Sequence, residues 1–141
     1  MELPDPVRVF LQSQGCAPAV AEAGLPGLVA AWERIVQAVA DGYPGGLEEY
    51  LRDMDTRALL DEAWQCARAD QQETSRDRLQ AADRRMRALV VPTGRCLSGD
   101  VKAEREGWSP DLHWWYFSRP AAAGPRLMSQ LEGDDGPGAD Q

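Results

Sequence analysis

The amino-acid sequence predicts a mainly α fold. The expected architecture is a compact helical domain of about five or six helices, with a short C-terminal β-hairpin or strand element and a disordered acidic tail. Three observations predict it. Apolar residues recur at i, i+3, i+4 and i+7 through most of residues 6–90. Prolines and glycines stand where each run stops. Beyond Pro92 the helical period gives way to glycines and a dense aromatic block. The chain has 141 residues, enough for one hydrophobic core that needs no metal or disulfide. Residues 1–131 therefore read as a single domain and 132–141 as the tail.

Asp5-Pro6 has the form of an N-cap followed by a proline at the first helical position, and Val7, Phe10 and Leu11 carry a helix over about 6–14. Pro18 and Gly24 bracket a short helical turn. Pro26 opens the clearest element, in which Leu28, Val29, Trp32, Ile35, Val36 and Val39 form one apolar stripe. Gly42-Tyr43-Pro44-Gly45-Gly46 ends it, because glycine is costly in a helix and proline lacks the donor. Leu47, Tyr50, Leu51 and Met54 continue the pattern, and Asp55 is placed to cap a further short helix with Leu59, Leu60, Ala63, Trp64 and Ala67.

Asp70-Gln71-Gln72-Glu73 has capping-box spacing and starts a helix over 71–90, apolar through Leu79, Ala82, Met86, Leu89 and Val90. Leu112 to Arg119 has the aromatic density of a strand, with Arg95 to Ala103 as its partner, and Pro125 to Leu131 forms a last helical turn.

The formal net charge is −8, from 15 Lys+Arg and 23 Asp+Glu. It is unevenly laid out. Glu132, Asp134, Asp135 and Asp140 contribute half of it in a Gly/Pro/Asp tail, a composition expected to stay disordered. Residues 41–62 hold Asp41, Glu48, Glu49, Asp53, Asp55, Asp61 and Glu62 against Arg52 and Arg57. Residues 76–87 reverse the balance, with Arg76, Arg78, Arg84, Arg85 and Arg87 against Asp77 and Asp83. An acidic chain is repelled by nucleic acid and by anionic membranes, so neither is an expected partner. No stretch reaches the ~20 apolar residues of a membrane span and the N-terminus lacks a signal peptide's basic start, so a cytosolic location is expected. Lys102 is the sole lysine, which with abundant Ala and Gly suits a GC-rich bacterial genome.

Five groups of residues could carry chemistry. Cys96 and His113 could form a thiol–imidazole pair if the two strands align, with Arg95 lowering the thiol pKa and Asp100 or Asp111 orienting the ring. Cys16, Cys66, Cys96 and His113 come from separate regions without the close pairing of a structural zinc site, so no metal and no cofactor is expected. The carboxylates between Glu48 and Glu62 read first as a solvated helix face, and beyond that as a surface that binds a partner rather than as a magnesium site. The arginines of 76–87 read as intramolecular counter-charges or plain solvent-facing residues rather than a phosphate grip. In a strand, Trp115 and Phe117 would share one face, which either the turn with Leu127, Met128 and Leu131 covers or, left uncovered, marks an interaction surface. Phosphate-loop, dinucleotide and nucleophile-elbow signatures are absent from the sequence.

These readings converge on a non-enzymatic, cytosolic protein-binding domain of the inhibitor, antitoxin or immunity type. Its expected contact residues are Glu48, Glu49, Asp53, Trp115 and Phe117, and its expected partner is another protein with a basic surface. The alternatives are a small thiol enzyme using Cys96 and His113, or the subunit of a homodimer closed through the aromatic strand.

Overall fold

The computed structural model describes residues 4–135, with side chains through Glu132. Among these residues the protein is mainly α: six α-helices and one two-stranded antiparallel sheet, in the order α1 to α4, β1, α5, β2, α6.

Asp5 caps α1 (Pro6–Ser13), accepting hydrogen bonds from the backbone N–H groups of Val7 at 2.9 Å and Arg8 at 3.2 Å. Its carboxylate also accepts from Nε2 of Gln71 at 3.0 Å, so one residue both starts a helix and ties it to a distant one. The Gln71 bond, aided by the capping N–H groups against partial desolvation, holds the Asp5 carboxyl below its ordinary range.

In α2 (Pro18–Ala40), Gly24 takes φ 60° and ψ −149°, a conformation cheap only for glycine, and breaks the helix into the two segments the sequence suggests. Pro26 then falls in the first turn of the second segment, where its missing N–H has no cost. The whole expected stripe from Leu28 to Val39 is buried, and α1, α3 and α4 all pack on α2.

α3 (Leu47–Cys66) is one continuous helix rather than two. Asp55 caps nothing, because its carboxylate accepts a 2.5 Å hydrogen bond from the Tyr116 hydroxyl instead. α4 (Ala69–Leu89) begins two residues before the expected start, with the Arg68 N–H donating to Oε1 of Gln71 at 2.9 Å.

The C-terminal third departs most from expectation. The strand expected over Arg95 to Ala103 is absent, and that segment leads into a helix, α5 (Asp100–Glu106). The sheet pairs β1 (Val90–Pro92) with β2 (Ser118–Pro120), Val91 lying opposite Arg119. Trp114–Tyr116 is a 3-10 turn, not a strand. A 3-10 turn sends successive side chains about 120° apart, which lets three adjacent aromatics reach three different partners.

α6 (Pro125–Asp135) outruns the turn expected at Pro125 to Leu131, so residues 132–135 continue a helix instead of starting the tail. The rest of the expected tail, 136–141, lies outside the described residues. Gly124 precedes α6 because a Cβ there would come within 2.7 Å of the Tyr43 carbonyl oxygen, to which its N–H donates at 3.1 Å.

The buried side chains form one cluster, with Trp32, Tyr50, Trp115 and Tyr116 among its largest members. Inside it lies an ion pair. Arg57 on α3 is 6% exposed, and its Nε and Nη2 grip the two carboxylate oxygens of Asp83 on α4 at 3.0 and 2.8 Å. Asp83 also accepts from the Trp32 indole N–H at 2.9 Å, and the Arg57 guanidinium lies 4.5 Å from the Trp115 ring centroid.

Cutting one side of this pair leaves an uncompensated buried charge. Arg57→Ala and Asp83→Ala should each destabilise the fold by about 3–5 kcal/mol in urea titrations. Arg57→Met combined with Asp83→Leu should cost less than either single change.

Candidate functional site

α3 projects the acidic group. Helical spacing puts Glu48, Arg52, Asp55, Leu59, Glu62 and Cys66 along one outer strip, while Glu49 lies about 100° and Asp53 about 140° round the helix from it. Glu48, Glu49, Asp55 and Glu62 are exposed, while Asp53 and Asp61 are half-buried. Glu48 pairs with Arg52 at 2.9 Å. Glu49 accepts from the Gly46 N–H at 3.0 Å, which satisfies an otherwise orphaned donor at the helix start, and also lies 3.3 Å from Arg126 of α6. Asp53 accepts from the Tyr43 hydroxyl at 2.5 Å, as Asp55 does from Tyr116. Asp61 accepts from the Gln65 amide at 3.0 Å. Asp53, Asp55 and Asp61 are thus held by neutral donors, whereas Glu48 and Glu49 are matched to arginines. Arg57, the other base in this stretch, spends its charge on Asp83 inside the core.

The arginines of α4 divide into two sets. Arg76 pairs with Glu73, and Arg78 forks onto Glu33 of α2, with Nε at 3.1 Å from the carboxylate. That fork holds the Glu33 carboxyl low and the Arg78 guanidinium high. Arg87 lies over the Trp114 ring at 4.2 Å. Arg84 and Arg85 are exposed, and among the described residues neither has a counter-charge.

The aromatic block is spent internally. Trp114 meets Trp32 edge-on at 6.5 Å, Trp115 packs on Arg57, and Tyr116 stacks on Trp108 at 3.8 Å. Trp115 is 1% exposed, which corrects its expected place on an interaction surface. Phe117 is half-buried and packs against the core.

Cys96 is fully buried, and that burial, reinforced by Asp100 and opposed by neighbouring backbone N–H groups, pushes its thiol up. Nδ1 of His113 accepts from the Ser109 N–H at 3.2 Å and the ring sits against Trp115. Among the described residues no hydrogen bond joins Cys96 to His113, and no three His, Cys, Asp or Glu side chains are grouped to hold a metal. Cys16 is half-buried and Cys66 exposed.

One feature escapes the sequence reading. Beside the acidic strip runs an open groove of about 540 Å³, floored by Ala19, Ala23, Gly27 and Ala31 of α2 and walled by Thr56 and Leu59 of α3. Its signal in the sequence is small residues at i, i+4 spacing, which an apolar stripe of larger side chains on the buried face of the same helix outweighs.

Comparison of the chain with protein-family models, with curated proteins and with solved structures finds no match.

Two measurements check this arrangement. Burial, aided at Tyr43 and Tyr116 by an aspartate acceptor, raises the ionisation of Tyr43, Tyr50 and Tyr116 above the ordinary 10.0. A raised folded-state pKa means stability that is full below that ordinary value and declines as pH rises past it. Tyrosinate absorbance should therefore appear only together with alkaline unfolding. Iodoacetamide should label Cys66 fastest and reach Cys96 only after denaturation, as peptide mass spectrometry would read.

Proposed function

We propose that this protein is a non-enzymatic binding domain that docks a basic protein on the outer strip of α3, in the manner of an inhibitor, antitoxin or immunity protein acting in the cytosol. The observation that carries this reading is how the carboxylates are held. Asp53, Asp55 and Glu49 are anchored by two tyrosine hydroxyls and a backbone N–H. Neutral donors fix the geometry of an anion without neutralising it, so Asp53 and Asp55 present preorganised negative charge, whereas Glu48 and Glu49 would exchange Arg52 and Arg126 for the partner's cations. Such charge speeds encounter with a cationic surface and discriminates against anionic ones. Glu48 and Glu49 are the principal contacts and Asp53 a supporting one.

The test uses replacements that keep the acceptors. In Glu48→Lys/Glu49→Gln/Asp53→Asn the Gln and Asn carbonyl oxygens can still take the Gly46 and Tyr43 bonds, so circular dichroism should match wild type. Immobilised wild type should retain basic proteins at low salt and release them at about 1 M salt, where screening is nearly complete. The variant should lose that set. Retention of the same proteins at the same salt by both would refute the reading.

A further inference from the structure

Where α6 meets the start of α3, one of the expected contact residues already holds a cation. We propose that Arg126 of α6 is a built-in competitor for the cation of the basic partner proposed above, the reading on which this inference rests: it occupies Glu49 in the free protein and is displaced on docking.

Gly46, Glu48, Glu49 and Arg52 at the start of α3 share an open cleft of about 350 Å³ with Arg126 and Gln130 of α6. Nη1 of Arg126 lies 3.3 Å from Oε1 of Glu49, and Oε1 of Gln130 accepts from the Leu47 N–H at 2.5 Å. Gly46 lets both α6 side chains come this near, since a Cβ there would lie 2.5 Å from Gln130 Oε1 and 3.0 Å from Arg126 Nε. Arg126 and Gln130 are one turn apart, and Leu127 and Leu131, each the next residue along, are fully buried. The apolar side of α6 therefore pins the helix while its polar side meets the cleft. What can move is the Arg126 side chain, which is 66% exposed and among the described residues pairs with Glu49 alone.

Glu49 is held independently of that arginine. The Gly46 N–H donates to the same Oε1 at 3.0 Å, so the carboxylate keeps its position when Arg126 swings away. An incoming ammonium or guanidinium group then exchanges one cation for another at a fixed anion, a nearly neutral step for exposed pairs. Glu48 is matched within α3 by Arg52, and Asp53 and Asp55 by tyrosine hydroxyls. Among the described residues Arg126 is thus the one counter-charge that another element brings to the acids of α3. A partner that offers Glu49 a lone cation gains little from the exchange. One whose further cations meet the rest of α3 at the same time gains those contacts in full, so Arg126 selects for partners with an extended basic surface.

Fluorescence anisotropy with a labelled octalysine peptide and the full chain tests it, at about 0.1 M salt, where exposed charges more than ~10 Å apart are largely screened. Arg126→Gln should bind octalysine about two- to five-fold more tightly than wild type, the span that loss of one exposed ion pair allows, with unchanged circular dichroism. Arg8→Gln makes the same change of net charge at the other end of α3, where Asp5 ties α1 to Gln71, and should match wild type. Glu49→Gln keeps an acceptor for the Gly46 N–H but leaves no charge to compete for, so adding Arg126→Gln to it should give no gain. Unchanged binding by Arg126→Gln, an equal gain from Arg8→Gln, or a gain that persists without the Glu49 charge overturns the inference and leaves the acidic reading of α3 standing. Octalysine binding by neither wild type nor Arg126→Gln overturns both.

Discussion

The fold depends on one buried ion pair. α3 and α4 follow one another with a two-residue connection, yet the main packing of each is on α2, and what joins them to each other across the core is Arg57 gripping Asp83. The bidentate fork satisfies both carboxylate oxygens, and the Trp32 indole N–H adds a third bond to the same group. This completeness offsets the desolvation that makes many buried ion pairs poor stabilisers. Nη1 of Arg57 has no hydrogen-bond partner, but the guanidinium lies over the Trp115 face, where the ring quadrupole compensates part of the lost hydration. The pair also fixes register: slipping either helix by a turn would break the fork and bury two unpaired charges.

Trp115 must therefore be in the core, and its neighbours follow from that. With Trp115 on Arg57, Trp114 goes to Trp32 and Arg87, and Tyr116 goes to Trp108 and Asp55. Three adjacent residues needing three directions cannot lie on a strand, where side chains alternate between two faces. The 3-10 turn is the local consequence of that tertiary demand. The sheet shrinks to the residues flanking the turn, where Thr93 N–H still donates to the Phe117 carbonyl at 2.9 Å and extends the ribbon of β1 and β2.

The same logic separates what could be read in the sequence from what could not. Asp5-Pro6 and the stripe from Leu28 to Val39 were legible because their causes are local: a cap and its proline sit side by side, and a buried helix face repeats every three or four residues. Asp55 carries an equally good local cap signal, but a hydroxyl 61 positions later takes its carboxylate, and the helix runs on unbroken. Aromatic density at 114–117 likewise records burial, which strands and tight turns share. In the candidate site, the i, i+4 stacking of Glu49 and Asp53 could be foreseen from spacing. That tyrosines rather than arginines would hold Asp53 and Asp55 could not, since Tyr43 and Tyr116 come from other segments. The groove floor stayed hidden because small residues register in a periodicity only as the absence of larger ones.

Net charge counts groups and takes no account of their partners, and here the partners decide the field. Arg76 and Arg78 look in the sequence like the start of a basic surface and Arg57 like a base on the acidic stretch, but each is matched to a carboxylate, Arg57 inside the core. Positive charge that reaches solvent from α4 is displaced toward its C-terminal half, at Arg84 and Arg85. Arg87, in the last turn of α4, is the one the helix dipole favours. Asp53 and Asp55 of α3 behave oppositely, because hydroxyl donors leave their charge in place. α3 carries six acids against two arginines, one of them buried, and α4 five arginines against four acids, so the negative charge is concentrated on α3. The surface charge is uneven because acids match Arg57, Arg76 and Arg78 while two tyrosine hydroxyls hold Asp53 and Asp55.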